Sequence, residues 1–373
     1  MQKAERVFFL GAGASVPDGY PITAWLVCAV AAFLQRHRES RGSVSRLEQY
    51  LNSVYGLERD ELDASAEMWR QYIADAQAFT RQTFDSKLPE IIELLSMIDL
   101  AIAEGESFGP GGDKSRPREF RGNELVRVRE RAVEALVMGF GQVRESRLKR
   151  NGIHPVAQGF TSSLTDRDIV ITTNWDTLIE EALRRNQRTV GINYGVDVIR
   201  VDAAGDRTDL SPAGPKVLKL HGSFSWLRCP RCKNLYANQD LMVAPVSLNN
   251  WPCDLTCDCG AELMGVLITP TYMKNYQLSQ LSEIWRIAQK SLEEADEWTF
   301  IGYSLPTDDL WIRGMLLRAF AIRRNKKNLP VVRVVRRGSS GDSERRYSSI
   351  FKGASIKFDD EGFEKFAQNV NAS

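Results

Sequence analysis

The chain has 373 residues, 43% hydrophobic and 26% charged, and its 49 basic and 48 acidic side chains leave a formal net charge of +1. This composition supplies a sizeable core and excludes a global field that would draw the protein to nucleic acid or to a membrane surface. There is no run of about 18 apolar residues, so no transmembrane helix is predicted. The N-terminal apolar stretch is too short for a signal peptide, and a cytoplasmic location, where thiols stay reduced, is expected.

Residues 6–10, RVFFL, have the pattern of a buried strand, followed by Gly11-Ala12-Gly13-Ala14-Ser15 and a helical segment from about Ile22 to Arg38. From about 40 to 155 the pattern is helical: Leu88, Ile91, Ile92, Leu94, Leu95 and Ile98 fall three and four apart, as do several apolar residues from Leu125 to Phe140. The Gly-, Pro- and charge-rich stretch 104–122 predicts an exposed loop. Strands are then predicted at 168–173, 216–220, 297–302, 331–335 and 354–358, with helices between them and a last helix at about 361–369. Apolar strands alternating with helices predict an α/β fold, a doubly wound and mostly parallel sheet covered on both faces. Ligands of such sheets bind beyond the carboxyl ends of the strands. The expected division is a core of 1–39, 156–225 and 266–373, a helical insertion of 40–155 and a small cysteine-rich module of 226–265.

Several strand ends carry chemistry. The Gly11-Ala12-Gly13-Ala14-Ser15 turn suits a phosphate at a helix N-terminus. It lacks the third glycine and the downstream acid of the dehydrogenase fingerprint, and it equally suits a plain tight turn. Thr172-Thr173-Asn174-Trp175-Asp176 can point polar groups into a crevice or simply cap the next helix. Of three histidines, His37 lies in a charged helical run and His154 precedes a proline. His221 ends a strand and is followed by Gly222, which permits close approach of a ligand. Cys229 and Cys232, with Cys257 and Cys259 about 25 residues on, have the spacing of two zinc knuckles. Cys253 is the alternative to Cys257. Four thiolates would fill the coordination sphere, so the zinc would be structural. Gly302 and Ser304 lie in a further strand-end loop, Gly302-Tyr303-Ser304-Leu305-Pro306. A basic cluster, Arg323, Arg324, Lys326, Lys327, Arg333, Arg336 and Arg337, reads as a solvated charged face, since no aromatic interleaving supports base stacking. Direct nucleic-acid binding is not expected.

The order of these motifs resembles the sirtuin-like family. The resemblance covers about residues 6–30 and 165–310 and implies an NAD-binding, Rossmann-like sheet carrying a small zinc module. It implies that Gly11, Ala12, Gly13 and Ser15 cradle the dinucleotide phosphates, and that Asn174 and Asp176 face the nicotinamide ribose. His221 would be the general base beside Gly222. Gly302 and Ser304 would lie near the adenosine half, with Asp309 on the rim. Where protein-deacylating sirtuins continue Gly-Ile-Pro-Asp-Phe-Arg, this chain reads Gly19-Tyr20-Pro21-Ile22-Thr23-Ala24-Trp25. Its Thr172-Thr173-Asn174-Trp175-Asp176 and Gly302-Tyr303-Ser304-Leu305-Pro306 look instead like the bacterial antiphage-defence sirtuin-like proteins, which resemble NAD glycohydrolases.

The leading expectation is therefore an NAD glycohydrolase, with Asn174 and His221 as its catalytic residues and NAD as substrate. The alternatives are an NAD-dependent deacylase or ADP-ribosyltransferase, and a nucleotide-sensing or nucleic-acid-binding module. The resemblance also implies a homo-oligomer and a partner such as an ATPase or an Argonaute-type protein. The 104–122 loop is a candidate gate.

Overall fold

The computed structural model describes residues 6–38, 43–76, 88–109, 119–150, 155–187, 191–201, 206–209, 214–238, 256–269, 271, 279–307 and 309–371. Its contacts divide the chain into two compact units. The first comprises Met1–Asp18, Asn151–Ile268 and Tyr276–Ser373, and the second Gly19–Arg150 with Thr269–Asn275.

The first unit is built on a six-stranded sheet of β1 (Arg6–Leu10), β2 (Ile169–Thr172), β3 (Lys216–Lys219), β4 (Glu297–Ile301), β5 (Val331–Val335) and β6 (Ile356–Asp359). The strands run in the order β3-β2-β1-β4-β5-β6, and every neighbouring pair is parallel. This is the doubly wound order, whose direction of growth reverses between β1 and β4. The near-continuous apolar runs of the strands follow from burial on both faces. Phe8 points to one face and meets Phe160 of helix Pro155–Ser162, with ring centroids 5.1 Å apart. Phe9 and Phe300 point to the other, where Phe300 meets Tyr347 of helix Gly341–Ile350 at 5.1 Å. The register pairs Leu10 with both Thr172 and Ile301, and Thr172 with Lys219, so four strands end at one level.

Beyond β3 the chain turns at once into a second, five-stranded sheet, in the order 264–267, 222–228, 235–237, 199–201, 207–209. The module that carries the cysteines thus recruits strands 199–201 and 207–209, which pattern alone groups with the core. Both short strands are half-polar and offer little apolar surface to the central sheet.

The second unit contains helices Leu26–Arg36, Ser43–Tyr55, Arg59–Ala74, Ile91–Glu104 and Asn123–Arg150. Helix Leu26–Arg36, placed with the core by the 1–39 boundary, groups with these helices instead. It packs on Arg59–Ala74 and Asn123–Arg150, and at Gly139 the approach is so close that a Cβ would lie 2.6 Å from that of Ala29. His37 lies against the Phe33 ring at the end of this helix and is half-buried. His154, Cys253 and residues 110–118 of the candidate gate lie outside the described residues.

Candidate functional site

The loops after β1 and β4 interlock. The Gly11 amide donates to the Ile301 carbonyl (3.0 Å), and the Gly13 amide donates to the Gly302 carbonyl (2.9 Å). A Cβ at Gly11 or at Gly13 would stand 2.7 or 2.8 Å from the Gly302 oxygen. Gly302 adopts φ +59°, a left-handed conformation that favours glycine. The glycines therefore serve the approach of two backbones at the point where strand order reverses. Two further amides close the turn on itself: Ala14 N–H donates to Gly11 O (2.9 Å) and Ser15 N–H to Ala12 O (3.1 Å).

Asn174 ties the turn after β2 to this loop. Its Nδ2 donates to the Gly11 carbonyl (2.9 Å) and to Ser15 Oγ (3.0 Å). Ser15 Oγ donates in turn to Asp176 Oδ2 (2.8 Å). Because the Gly11 carbonyl can only accept, the orientation of the Asn174 amide is fixed, and both its N–H groups are used. What Asn174 still offers a ligand is Oδ1, an acceptor. Asp176 is buried, and its Oδ1 also accepts the Leu178 N–H (3.2 Å) at the start of helix Leu178–Gln187. Its cap-like role and its place in the strand-end network are thus one arrangement. Below them lie two groups that the motifs do not reveal. The Lys219 ammonium donates to the Asp176 carbonyl (2.5 Å) and pairs with Glu180 Oε1 (2.8 Å), both side chains being buried. A recess is lined by Ser15, Asn174, Asp176, Glu180 and Lys219 together with apolar neighbours. Burial pushes the Glu180 carboxyl above its ordinary range, and Lys219 pulls it back.

His221 stands two residues beyond Lys219, as Asn174 stands two beyond Thr172, its cross-strand partner. His221 is buried, and its carbonyl accepts the Ile268 amide (2.9 Å). The Ile268 carbonyl accepts the Trp175 indole N–H (3.2 Å). One peptide segment thus joins the strand end bearing Asn174 to the one bearing His221. Gly222, at φ +78°, pairs with Leu267, and a Cβ there would collide with the Val266 carbonyl.

The structure divides the residues expected at the adenosine half. Gly302 belongs to the interlock. Ser304 is exposed, and its carbonyl accepts from Arg346 Nε (3.0 Å). Asp309 is not on a rim: it is buried and accepts the Tyr303 hydroxyl (2.8 Å).

Cys229, Cys232, Cys257 and Cys259 converge, all four sulfurs lying within 4.8 Å of one another. Cys229 and Cys259 are 3.5 Å apart and Cys232 and Cys257 3.9 Å. Four thiolates at about 2.3 Å around a tetrahedral zinc would stand about 3.8 Å apart, so the set fits that ion. The Arg231 and Cys232 amides donate to Cys229 Sγ at 3.3 and 3.1 Å, and left-handed Lys233 and Gly260 close the two knuckles. The Cys257 thiol is pushed down to about 6, chiefly by the Cys259 backbone and then by the Tyr236 hydroxyl at 3.2 Å. Arg207 reaches Thr256 and Asp258 and lies over the Tyr236 ring, stapling the strand to the second knuckle.

Much of the basic cluster is neutralised. Arg336 pairs with Asp360 and Glu344, Arg337 with Glu364 and Arg323 with Asp296, while Arg333 lies over the Phe366 ring. Among the described residues no helix is long and apolar enough to cross a membrane. A family described as SIR2-like domain matches residues 168–358, a little over half of the chain. Among curated proteins, none matches.

Proposed function

The chain belongs to the SIR2-like domain family, and on that premise we propose that its NAD-related chemistry is hydrolysis of the nicotinamide–ribose bond, giving ADP-ribose and nicotinamide. The observation that carries this reading is the directed hydrogen-bond chain from Asn174 to Ser15 to Asp176. It leaves Asn174 Oδ1 as an acceptor at the strand end next to His221. Nicotinamide leaves as a neutral molecule from a cationic pyridinium, and the ribose passes through an oxocarbenium-like state. An acceptor is what a ribose hydroxyl or an attacking water needs in order to be held. The His221 imidazole carries a nitrogen base, the kind of group suited to take the proton of that water. Gly11, Ala12, Gly13, Asp176, Gly222, Gly302 and Ser304 would frame the dinucleotide. The four cysteines would hold zinc as a structural staple.

The acceptor is read as water because positions 19–25 serve a different purpose from the deacylase segment. Tyr20 and Trp25 are buried in the helical unit, and the Trp25 ring lies 5.2 Å from Tyr72. The pairing of the basic cluster weighs against a nucleic-acid-binding module. A role in antiphage defence by NAD depletion, in a reducing compartment and as a homo-oligomer with a partner ATPase or Argonaute-type protein, completes the reading. The test is incubation with NAD alone. ADP-ribose and nicotinamide formed without any acylated peptide support the hydrolase. NAD consumed only when an acylated peptide or a protein acceptor is added replaces it with a deacylase or an ADP-ribosyltransferase.

A further inference from the structure

We propose that Lys219 is a positioning residue, which sets the Asn174-to-Asp176 turn through the Asp176 carbonyl and is itself held by Glu180; the inference rests on the NAD reading above. Lys219 is the last residue of β3 and is only 1% exposed. Its ammonium reaches across to the turn after β2, donating to the Asp176 carbonyl at 2.5 Å and pairing with Glu180 at 2.8 Å. Asp176 is thereby held at three points: Oδ2 by Ser15, Oδ1 by the Leu178 amide and its carbonyl by Lys219.

Stability alone is a weak reason for such a pair. Taking an ammonium and a carboxylate out of water costs several kcal/mol per ion, and apolar residues of similar volume are often neutral or stabilising in their place. What an apolar pair cannot supply is a donor for the Asp176 carbonyl. The ammonium has three donors on a long stem, enough for a carbonyl and a carboxylate together. Placing it on β3 also links the two strand ends, since His221 follows Lys219 by two residues on the same segment. The carbonyl so fixed belongs to the residue that receives the Ser15 hydroxyl, and Ser15 in turn receives Asn174. Loosening it propagates to the acceptor that would face the ribose.

The experiment compares wild type, Glu180→Gln, and Lys219→Met combined with Glu180→Leu, at a temperature where circular dichroism shows all three folded. The double variant removes both charges and the carbonyl's donor. Its expected melting temperature is at or above wild type, with the KM for NAD within about threefold. Its kcat is expected to fall about 10- to 100-fold, the scale of a misplacement of about 1 Å. Glu180→Gln keeps the lysine and its donor to the carbonyl, so its kcat stays within about threefold of wild type. A double variant with wild-type kcat overturns the inference and leaves the hydrolase reading standing. Equal losses in Glu180→Gln and the double variant overturn the assignment to the carbonyl. Wild-type protein inert towards NAD overturns the hydrolase reading, and this inference with it.

Discussion

Gly13 and Gly302 lie in loops nearly 290 residues apart in sequence, yet the Gly13 amide donates to the Gly302 carbonyl at 2.9 Å with no room for a side chain on either residue. The contact fixes the geometry of the first and fourth strand ends at the point where strand order reverses. Gly302→Ala forces a left-handed alanine against the Gly13–Ala14 peptide. It is expected to cost at least about 2 kcal/mol of stability, read from urea unfolding. Unchanged unfolding would mean that the two loops separate readily.

His221→Ala and Asn174→Ala are expected to retain the fold and to lower kcat/KM for NAD about 10²- to 10⁴-fold. Asn174→Asp is the sharper test. It keeps the acceptor oxygens but loses both donors to Gly11 and Ser15, and it sets a second carboxylate near Asp176. It should fail about as badly as alanine. Near-normal NAD turnover by Asn174→Asp would remove the hydrogen-bond chain from the mechanism.

One zinc per chain is expected by elemental analysis. Cys257→Ser should lose it and Cys253→Ser should keep it, because the four convergent sulfurs already close a tetrahedron. Chelation of the wild type should lower its melting temperature, since metal binding to such a site is folding free energy. Full zinc content in Cys257→Ser would hand the fourth position to another residue.

Asp18 caps a helix remote in sequence. Its carboxylate accepts the Val156 and Ala157 amides at 3.3 and 3.0 Å, the two donors after Pro155, which has none. Asp18→Ala is expected to cost about 0.5–2 kcal/mol in thermal or urea unfolding. Asp18→Asn, which keeps an acceptor, should cost less. Equal losses would show that charge at the helix N-terminus, rather than the hydrogen bond, matters there.

The sheet was legible because its strands are apolar on both sides. RVFFL, DIVITT, EWTFIG and VVRVV announce buried parallel strands, and each strand-end motif falls where its strand predicts. Convergence of the cysteines was legible from spacing. The second sheet was not: strands 199–201 and 207–209 are short and half-polar, and nothing local says which sheet they join. The 39/40 boundary also follows only pattern, whereas helix Leu26–Arg36 is assigned by contacts with Ala29 and its neighbours. Nothing in the sequence signals that Asp309 will be buried and accept the Tyr303 hydroxyl. Lys219 did leave a signal, as a lysine at the end of an otherwise apolar strand, but its partner Glu180 sits on a different element and only the fold joins them.

The Ile268 bridge carries a consequence for the order in which the protein comes into being. A ribosome-bound chain that has emerged as far as Gly222 already bears Ser15, Asn174, Asp176, Lys219 and His221. Its strand ends are still unfastened, since Ile268, which joins His221 to Trp175, and Gly302, which joins the first loop, are synthesised later. Contacts of such wide sequence separation carry a loop-closure cost and are slow to form. The last fastenings of these strand ends therefore wait on residues made after the groups they hold.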